Sequence, residues 1–336
     1  MGTIRVNPAA PDARAIAEAA ELILRGGLVA FPTETVYGLG ANALDERAVA
    51  GIFAAKGRPS FNPLIAHVSD VSAAREHVTA WPEEAERLAS AFWPGPLTLV
   101  LPRGGSIPGI VSGGLPSVAL RVPAHPVALA LLRAANVPIA APSANRYTEI
   151  SPTSAAHVEH ALGDRVGMIL DGGPTSVGIE STVVDLTGPV PVILRPGTIS
   201  PAALRGVVGT LELPSEQTVA EGTARPSPGM SVRHYAPRAR VKLFGGDDLG
   251  SAIASAERAA AAGERVGALL LTPFPAAVDR PVRMPAEPEG YAHDLYAALH
   301  RLDDAGCALI LIERVPEDER WNGVRDRLER ASREGD

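Results

Sequence analysis

The chain has 336 residues, of which 46% are apolar and 21% charged, and this composition excludes a protein that is disordered over most of its length. The formal charge of −7 argues against a surface covered in basic side chains for gripping nucleic acid, but it permits a local basic pocket. A single cysteine, Cys307, excludes a disulfide framework and a cysteine-built metal site.

The first two thirds of the chain alternate short apolar runs with helical patterns. The spacing of Ile16, Ala20 and Ile23 predicts a helix over residues 12–25, which Gly26 ends. Further helical patterns cover residues 45–55, 82–92, 126–135 and 153–162. Runs rich in Val, Leu and Ile, bounded by Gly or Pro, predict buried strands at residues 28–31, 64–68, 97–101, 118–122, 137–141, 168–170, 182–186 and 192–194. Together they predict an α/β domain over residues 1–213, with a large twisted sheet that is mixed rather than purely parallel.

The composition changes near residue 214. Residues 214–238 are rich in Ser, Gly, Pro and Thr and predict a linker. Over residues 239–336 the patterns alternate as strand, helix, strand, helix, strand and helix, which predicts a small Rossmann-like domain with a parallel sheet. This domain has no glycine-rich phosphate turn, so the sequence predicts no nucleotide site in it.

No apolar run reaches the roughly 18 residues of a membrane span. The amino terminus also lacks the basic and then apolar pattern of a signal peptide. We therefore expect a cytoplasmic protein.

Polar and cationic residues collect where the predicted strands of the first domain end, which is where ligands bind in α/β folds. The segment 31–40 follows one such strand, and it fits either a ligand-binding turn or a tight hairpin. Lys56 and Arg58 stand two positions apart in a loop, where they fit either a phosphate site or a solvated basic turn.

Three further residues lie within or at the end of apolar strands. His67 fits either a hydrogen-bonded strand residue or a ligand contact. Arg121 must find an anion, which a bound carboxylate or a structural Asp or Glu would supply. Arg195 is another candidate phosphate contact. No Ser-His-Asp arrangement, paired catalytic carboxylates or metal-ligand spacing is visible, so the clusters favour a site that binds a polyanion and positions it.

The order of these motifs resembles the YrdC-like family over about residues 10–210. The motifs that carry the resemblance are Pro32-Thr-Glu-Thr-Val-Tyr-Gly-Leu39, Lys56-x-Arg58, Asn62-Pro-Leu64, Phe92-Trp-Pro-Gly-Pro-Leu-Thr98, Arg121-Val-Pro123, Ser143-x-Asn145, Glu180-Ser-Thr182 and Arg195-Pro-Gly197. The segment 227–237 and the second domain resemble the long form of threonylcarbamoyl-AMP synthase.

The resemblance implies a reaction in which L-threonine, bicarbonate and ATP give L-threonylcarbamoyl-adenylate and pyrophosphate. It also implies that the product supplies a separate complex that modifies an adenosine of tRNA, while direct tRNA contact stays open. Magnesium is expected on the triphosphate, whose charge must be neutralised as pyrophosphate leaves. A YrdC-like carbamoyltransferase and an RNA-binding module are the alternatives.

The resemblance further implies which residues contact the substrates. Thr35, His67, Arg121 and Ser181 would contact L-threonine, with Arg121 on its carboxylate. The implied ATP contacts are Arg58, Asn62, Ser117, Ala141, Ser143, Asn145, Ser151, Arg195 and Tyr235. Lys56 and Arg58 would face the phosphates and are the candidate catalytic residues. We also expect the linker to fold back over the mouth of the site, where Tyr235 would reach the nucleotide; the alternative is that Tyr235 packs on the second domain.

Overall fold

A computed structural model describes residues 2–213 and 234–333. The strands are β1 (Gly2–Arg5), β2 (Val29–Pro32), β3 (Tyr37–Asn42), β4 (Ile65–His67), β5 (Leu97–Pro102), β6 (Ser117–Arg121), β7 (Ile139–Ala140), β8 (Met168–Asp171), β9 (Thr182–Asp185), β10 (Val192–Arg195), β11 (Arg240–Phe244), β12 (Val266–Leu270), β13 (Arg280–Arg283) and β14 (Leu309–Glu313). The α-helices are α1 (Ala13–Leu24), α2 (Glu46–Lys56), α3 (Val71–Arg75), α4 (Glu83–Phe92), α5 (Pro126–Ala135), α6 (Ala155–Leu162), α7 (Pro201–Val208), α8 (Leu249–Ala261), α9 (Pro288–Asp304) and α10 (Asn322–Ser332).

Within the described residues, the first ten strands form one sheet in the order β1-β8-β2-β3-β7-β4-β6-β5-β9-β10. The sheet contains parallel pairs such as β4 with β6 and antiparallel pairs such as β5 with β6, so the predicted mixed sheet is confirmed. β2 and β3 form an antiparallel hairpin in which Phe31 pairs with Gly38. The segment 33–36 is therefore both the hairpin turn and, as shown below, part of the site.

Strand β3 was not predicted, because its Tyr-Gly-Leu-Gly-Ala-Asn sequence has little intrinsic strand preference. Close packing explains its glycines. A Cβ on Gly40 would lie 2.7 Å from a ring carbon of Phe31 and 2.8 Å from Ile139 Cγ2. Tertiary packing, rather than local preference, therefore makes this segment a strand.

Strands β11, β14, β12 and β13 form the second sheet of the described residues, and all of its pairs are parallel. The predicted small parallel α/β fold is confirmed. β13 was missed because its exposed Arg-Pro-Val-Arg sequence carries no apolar run. The division of the chain at residues 213 and 239 stays a prediction, and most of the predicted linker, residues 214–233, lies outside the described part.

The two sheets are joined through a common core. Val36, Ile150 and Ile179, which belong to the part of the chain with the larger sheet, pack in one buried cluster with Tyr291 and Leu295 of α9. Backbone also approaches backbone, because a Cβ on Gly323 of α10 would lie 2.3 Å from the carbonyl oxygen of Gly197. No helix among residues 2–213 and 234–333 is both long and apolar enough to cross a bilayer.

Gly178 offers a test of this docking. Its φ is +87°, and a Cβ there would lie 2.3 Å from Ala292 O and 2.5 Å from His293 Cα in α9. Gly114 is a matched control, with φ of +85° and no atom within 4 Å of the place that a Cβ would occupy. We expect Gly178→Ala to lower the free energy of unfolding by about 1–3 kcal/mol more than Gly114→Ala, because overpacking adds to the left-handed strain. Equal losses in urea denaturation would contradict this contact.

Candidate substrate-binding site

The end of α2 sets the positions of Lys56 and Arg58. Asp45 caps the start of the helix by accepting from the backbone N–H groups of Arg47 and Ala48. Gly57 ends it with a left-handed φ of +64°, and the Arg58 N–H then bonds back to Phe53 O at 3.0 Å. This turn leads both cationic side chains into the protein interior, where Lys56 is 3% and Arg58 7% exposed.

Lys56 fastens the loop that carries Ser143 and Asn145. Its Nζ donates to Ser143 O at 2.6 Å and also to Asn145 O. Burial, and then the charge of Arg58, hold the pKa of Lys56 well below its ordinary value. Its ammonium group is thus engaged by backbone carbonyls in this conformation, and the solvated-turn alternative is wrong.

Arg58 is held by backbone carbonyls at the start of β4. Its Nη2 donates to Pro63 O at 3.0 Å and its Nε to Asn62 O at 3.4 Å. The guanidinium lies 5.8 Å from the ring centroid of Tyr147, whose hydroxyl accepts from Asn62 Nδ2 at 2.9 Å. Among the described residues no carboxylate forms an ion pair with Arg58, and burial lowers its pKa to about 10. A buried cation of this kind favours an anionic ligand.

Arg121 ends β6 beside the hairpin turn. Its Nη2 donates to Glu34 Oε1 at 2.6 Å, its Nη1 to Thr35 Oγ1 at 2.9 Å and its Nε to Gly95 O at 3.1 Å. The structural carboxylate that the sequence left open is therefore Glu34, whose Oε2 also accepts from the Ala124 N–H. The guanidinium still borders the cavity described below.

Ser181 and Arg195 come together at the ends of β9 and β10. Arg195 Nη2 donates to Ser181 O at 3.0 Å and lies 3.1 Å from Ser181 Oγ. Ser181 Oγ also shares a 2.8 Å hydrogen bond with Thr98 Oγ1. These contacts fix the orientation of the Ser181 hydroxyl at the wall of the site.

Glu180 is a buried carboxylate at the junction of the two sheets. Its Oε1 accepts from Ser151 Oγ at 2.5 Å, and its Oε2 accepts from Arg327 Nε at 2.9 Å and from the Tyr296 hydroxyl at 3.0 Å. Burial alone raises the pKa of the Glu180 carboxyl, but the charges of Arg327 and Arg195 outweigh it and the pKa is lowered. The group is a carboxylate at neutral pH.

His67 carries a buried ring nitrogen, Nδ1, with no hydrogen-bond partner among the described residues. The ring packs edge-on against Phe31, with centroids 6.3 Å apart. Burial, and then the charge of Arg121, lower the pKa of His67 to about 3. Since the imidazole is neutral at pH 7, it offers a polar atom to a ligand without adding a positive charge.

These side chains surround one cavity. Its lining includes nine of the predicted contacts: Thr35, Arg58, His67, Arg121, Ala141, Ser143, Ser181, Arg195 and Tyr235. The volume is about 50 Å³, which is too small for a nucleotide, and His234 and Tyr235 form part of the wall. These two residues therefore border the space in which a ligand would lie.

The other predicted contacts lie outside the lining of this cavity. Lys56, Asn145 and Ser151 are buried but do not line it, and Asn62 bonds to Tyr147. Ser117 begins β6, two residues before Ala119, which pairs with Ile65 of β4. Their roles as ATP contacts stay predictions.

Sequence reasoning assigned no role to several residues that shape the site. Glu34 and Glu180 are acidic residues within the motifs that carry the family resemblance, and this location in the motifs could have indicated their importance for the site. Tyr296 and Arg327 come from helices of the second sheet, and Arg327 cannot be told from a surface arginine by its helical spacing.

The described residues around the cavity do not form a magnesium site. Glu34 and Glu180 are the buried carboxylates of the described residues, and both are engaged by arginines. Within the described ranges, no group of three or more His, Cys, Asp or Glu residues is arranged to hold a metal ion. The expected magnesium would be carried by the nucleotide.

Comparison with known proteins agrees with this geometry. The family model Sua5/YciO/YrdC, described as telomere recombination, matches residues 21–197. A second model, described as the C-terminal domain of threonylcarbamoyl-AMP synthase, matches residues 199–333. These two matches define the class: a YrdC-like fold joined to a Sua5-type carboxy-terminal domain.

Full-length relatives narrow the class. The chain is 45% identical over 321 residues to a threonylcarbamoyl-AMP synthase of Pyrococcus abyssi, covering 94% of this chain and 93% of that protein. It is 41% identical over 325 residues to one of Bacillus subtilis, covering 94% and 92%. A crystal structure of P. abyssi Sua5 complexed with L-threonine is 42% identical, with a TM-score of 0.92 over 99% of this chain and 98% of that one. The chain belongs to the threonylcarbamoyl-AMP synthase family.

The His67 environment predicts a specific dependence of stability on pH. The unfolded residue binds a proton near pH 6.5, whereas the folded one does so near pH 3, so folding loses stability as the pH falls below 6.5. Between pH 7 and pH 5, protonation of this residue in the unfolded chain lowers the free energy of unfolding by about 2 kcal/mol. We expect His67→Asn to lose about 2 kcal/mol less unfolding free energy than the unmodified chain over that interval. If urea titrations at the two pH values showed the same loss of unfolding free energy in both proteins, His67 would titrate normally and the prediction would be contradicted.

Proposed function

We propose that this chain is a nucleotidyltransferase that makes L-threonylcarbamoyl-adenylate and pyrophosphate from L-threonine, bicarbonate and ATP. One observation carries the proposal: a cavity bordered by Arg58, Arg121 and Arg195 also presents the hydroxyls of Thr35 and Ser181. Such a site suits a polyanion and a small hydroxylated amino acid held side by side. Its similarity to named synthases over nearly the whole chain supports the synthase over a carbamoyltransferase or an RNA-binding module.

The hairpin turn and β6 supply the proposed threonine end. Arg121 donates to the carboxylate of L-threonine through guanidinium N–H groups that Glu34 and Thr35 leave free. His67 and Ser181 meet the amino acid's polar groups, because both residues border the cavity. The P. abyssi structure complexed with L-threonine supports this choice of substrate.

Arg58 and Arg195 supply the proposed nucleotide end. Their guanidinium groups neutralise the phosphates, and the remaining proposed contacts are Asn62, Ser117, Ala141, Ser143, Asn145, Ser151 and Tyr235. Lys56 holds the loop of Ser143 and Asn145 in place through the two backbone carbonyls that it binds. Lys56 affects the phosphates either by positioning that loop or by binding them directly once its hydrogen bonds to the loop are broken.

The proposed chemistry needs positioning rather than a protein nucleophile. The threonine amine attacks the carbon of bicarbonate, which releases water and leaves a carbamate. A carbamate oxygen then attacks the α-phosphorus of ATP, the bond from that phosphorus to the bridging oxygen breaks, and pyrophosphate leaves. Arg58 and Arg195 stabilise the charge that moves onto the leaving group. The adenylate then supplies threonylcarbamoyl groups to a separate enzyme that modifies tRNA.

The described end of the predicted linker, which includes His234 and Tyr235, supports the proposed role of the linker as a lid. His234 and Tyr235 are 5% and 1% exposed, and both border the cavity. Neither His234 nitrogen nor the Tyr235 hydroxyl has a hydrogen-bond partner within the described residues. Tyr235 also packs on Tyr296, with centroids 5.9 Å apart, so the two alternatives for Tyr235 are compatible. Closure over bound ATP would exclude water from a labile adenylate.

The choice of amino acid tests the proposal. With ATP and bicarbonate present, we expect L-threonine to stimulate pyrophosphate release and the formation of threonylcarbamoyl-adenylate, detected by mass spectrometry. L-Valine has a similar shape but leaves the hydroxyl partners unpaired, so its kcat/KM is expected to be lower by at least about 100-fold.

Omitting bicarbonate, with the buffer freed of carbon dioxide, is the matched control and should abolish the product. Pyrophosphate release at the same rate without L-threonine, or no release under any of these conditions, would contradict the proposed function.

A further inference from the structure

Arg327 lies in α10, in the part of the chain that carries the second sheet, yet its side chain reaches the substrate cavity's supporting wall. Its side chain is 0% exposed, although its neighbours Asp326 and Arg330 remain partly exposed. Burying a guanidinium completely is costly unless each N–H group finds an acceptor. The acceptors that Arg327 binds therefore indicate its role in the structure.

Arg327 binds three acceptors in the part of the chain with the larger sheet. Its Nε donates to Glu180 Oε2 at 2.9 Å, and its Nη2 donates to the backbone carbonyl of Glu180 at 3.3 Å. Its Nη1 donates to Pro196 O at 2.8 Å. One planar group thus fixes two separate segments of backbone relative to each other.

Both segments carry a proposed substrate contact next to the atom that Arg327 holds. Ser181 follows Glu180, and Arg195 precedes Pro196. Ser181 and Arg195 also bond to each other, with Arg195 Nη2 at 3.0 Å from Ser181 O. A shift of either segment would change the spacing between the threonine end and the nucleotide end of the cavity.

The Glu180 carboxylate connects Arg327 to a third segment of the chain, the one that contains Ser151. It accepts from Ser151 Oγ at 2.5 Å, and Ser151 is another proposed nucleotide contact. The Tyr296 hydroxyl completes the set of donors at 3.0 Å. Without Arg327, Glu180 would be a buried carboxylate without its closest cation, and it would reorient toward water or take up a proton.

Arg327 also contacts a residue of the cavity wall. Its guanidinium carbon lies 5.1 Å from the centroid of the Tyr235 ring, within the range of a cation–π contact. The Arg327 side chain therefore also touches Tyr235, the residue of the predicted linker that borders the cavity.

We propose that Arg327 is a positioning residue for the substrate site, which sets the relative placement of Ser151, Ser181 and Arg195 through Glu180 and the Pro196 carbonyl. The inference rests on the proposed function and gives the carboxy-terminal part of the chain a defined task in it. That task is to hold the site in its binding geometry without touching either substrate.

The test compares substitutions of Arg327 with a control on the same helix. Arg327→Met keeps much of the side-chain volume but removes the donors. Arg325→Met is the control, because Arg325 donates to Glu317 O, Asp318 O and Asn322 Oδ1, all within its own part of the chain. KM and kcat are measured for L-threonine and ATP, per folded molecule as determined by circular dichroism.

We expect Arg327→Met to raise KM for both substrates at least tenfold, and Arg327→Lys, which keeps the charge, to recover part of that loss. Arg325→Met should keep both constants within twofold. A merely structural role would instead lower the folded fraction, with unchanged KM in the molecules that remain folded, and that result would overturn the proposal.

A double substitution keeps the test decisive if Arg327→Met folds poorly. Arg327→Met with Glu180→Gln removes both charges and avoids an uncompensated buried carboxylate, so it should fold better than Arg327→Met alone. Its KM values should still be raised at least tenfold, because Ser181 and Arg195 lose the same anchor. KM values equal to those of the unmodified chain would overturn the proposal, whereas failure of the unmodified chain to form any adenylate would overturn the proposed function instead.

Discussion

Buried positive charge is the constraint on which the rest of this structure depends. Among the described residues, the buried cationic side chains are Lys56, Arg58, Arg121, Arg195 and Arg327, and the buried carboxylates are Glu34 and Glu180. Glu34 neutralises Arg121 and Glu180 neutralises Arg327. Arg58, which borders the cavity, forms no ion pair with a carboxylate of the described residues. A buried cation in this position favours an anionic ligand, since the ligand supplies the compensating charge.

Each of the two ion pairs stabilises a different wall of the site. The pair of Arg121 with Glu34 ties β6 to the hairpin turn, so the threonine end is assembled from neighbouring strands of one sheet. The pair of Arg327 with Glu180 ties the larger sheet to α10, so the opposite wall depends on a distant part of the chain. Because both arginines are almost fully buried, removing either partner would leave a charge that the interior cannot solvate. This cost favours a single arrangement of the cavity wall.

Much of this architecture could be predicted from the sequence. Apolar runs ended by Gly or Pro predicted most strands of the two sheets, and the cationic residues at their ends pointed to a polyanion site. Partners distant in sequence could not be predicted: the spacing around Lys56 does not reveal that its ammonium group binds Ser143 O and Asn145 O. Likewise, Arg327 belongs to a polar helix, and its burial follows from docking of that helix rather than from its local pattern. Strand β3 was missed for the same reason, since packing overrides its weak preference.

The most direct test of an excess of buried cations is the stabilisation that ATP gives to the folded chain in the absence of L-threonine. A ligand at 100 times its Kd stabilises the folded state by about 2.7 kcal/mol, which raises the midpoint of thermal unfolding by several degrees. The comparison uses the unmodified chain, Arg58→Met, and Arg133→Met as an exposed arginine control. We expect ATP to raise the midpoint in the unmodified chain and in Arg133→Met, and to have little effect on Arg58→Met. An equal rise in all three proteins would contradict the account.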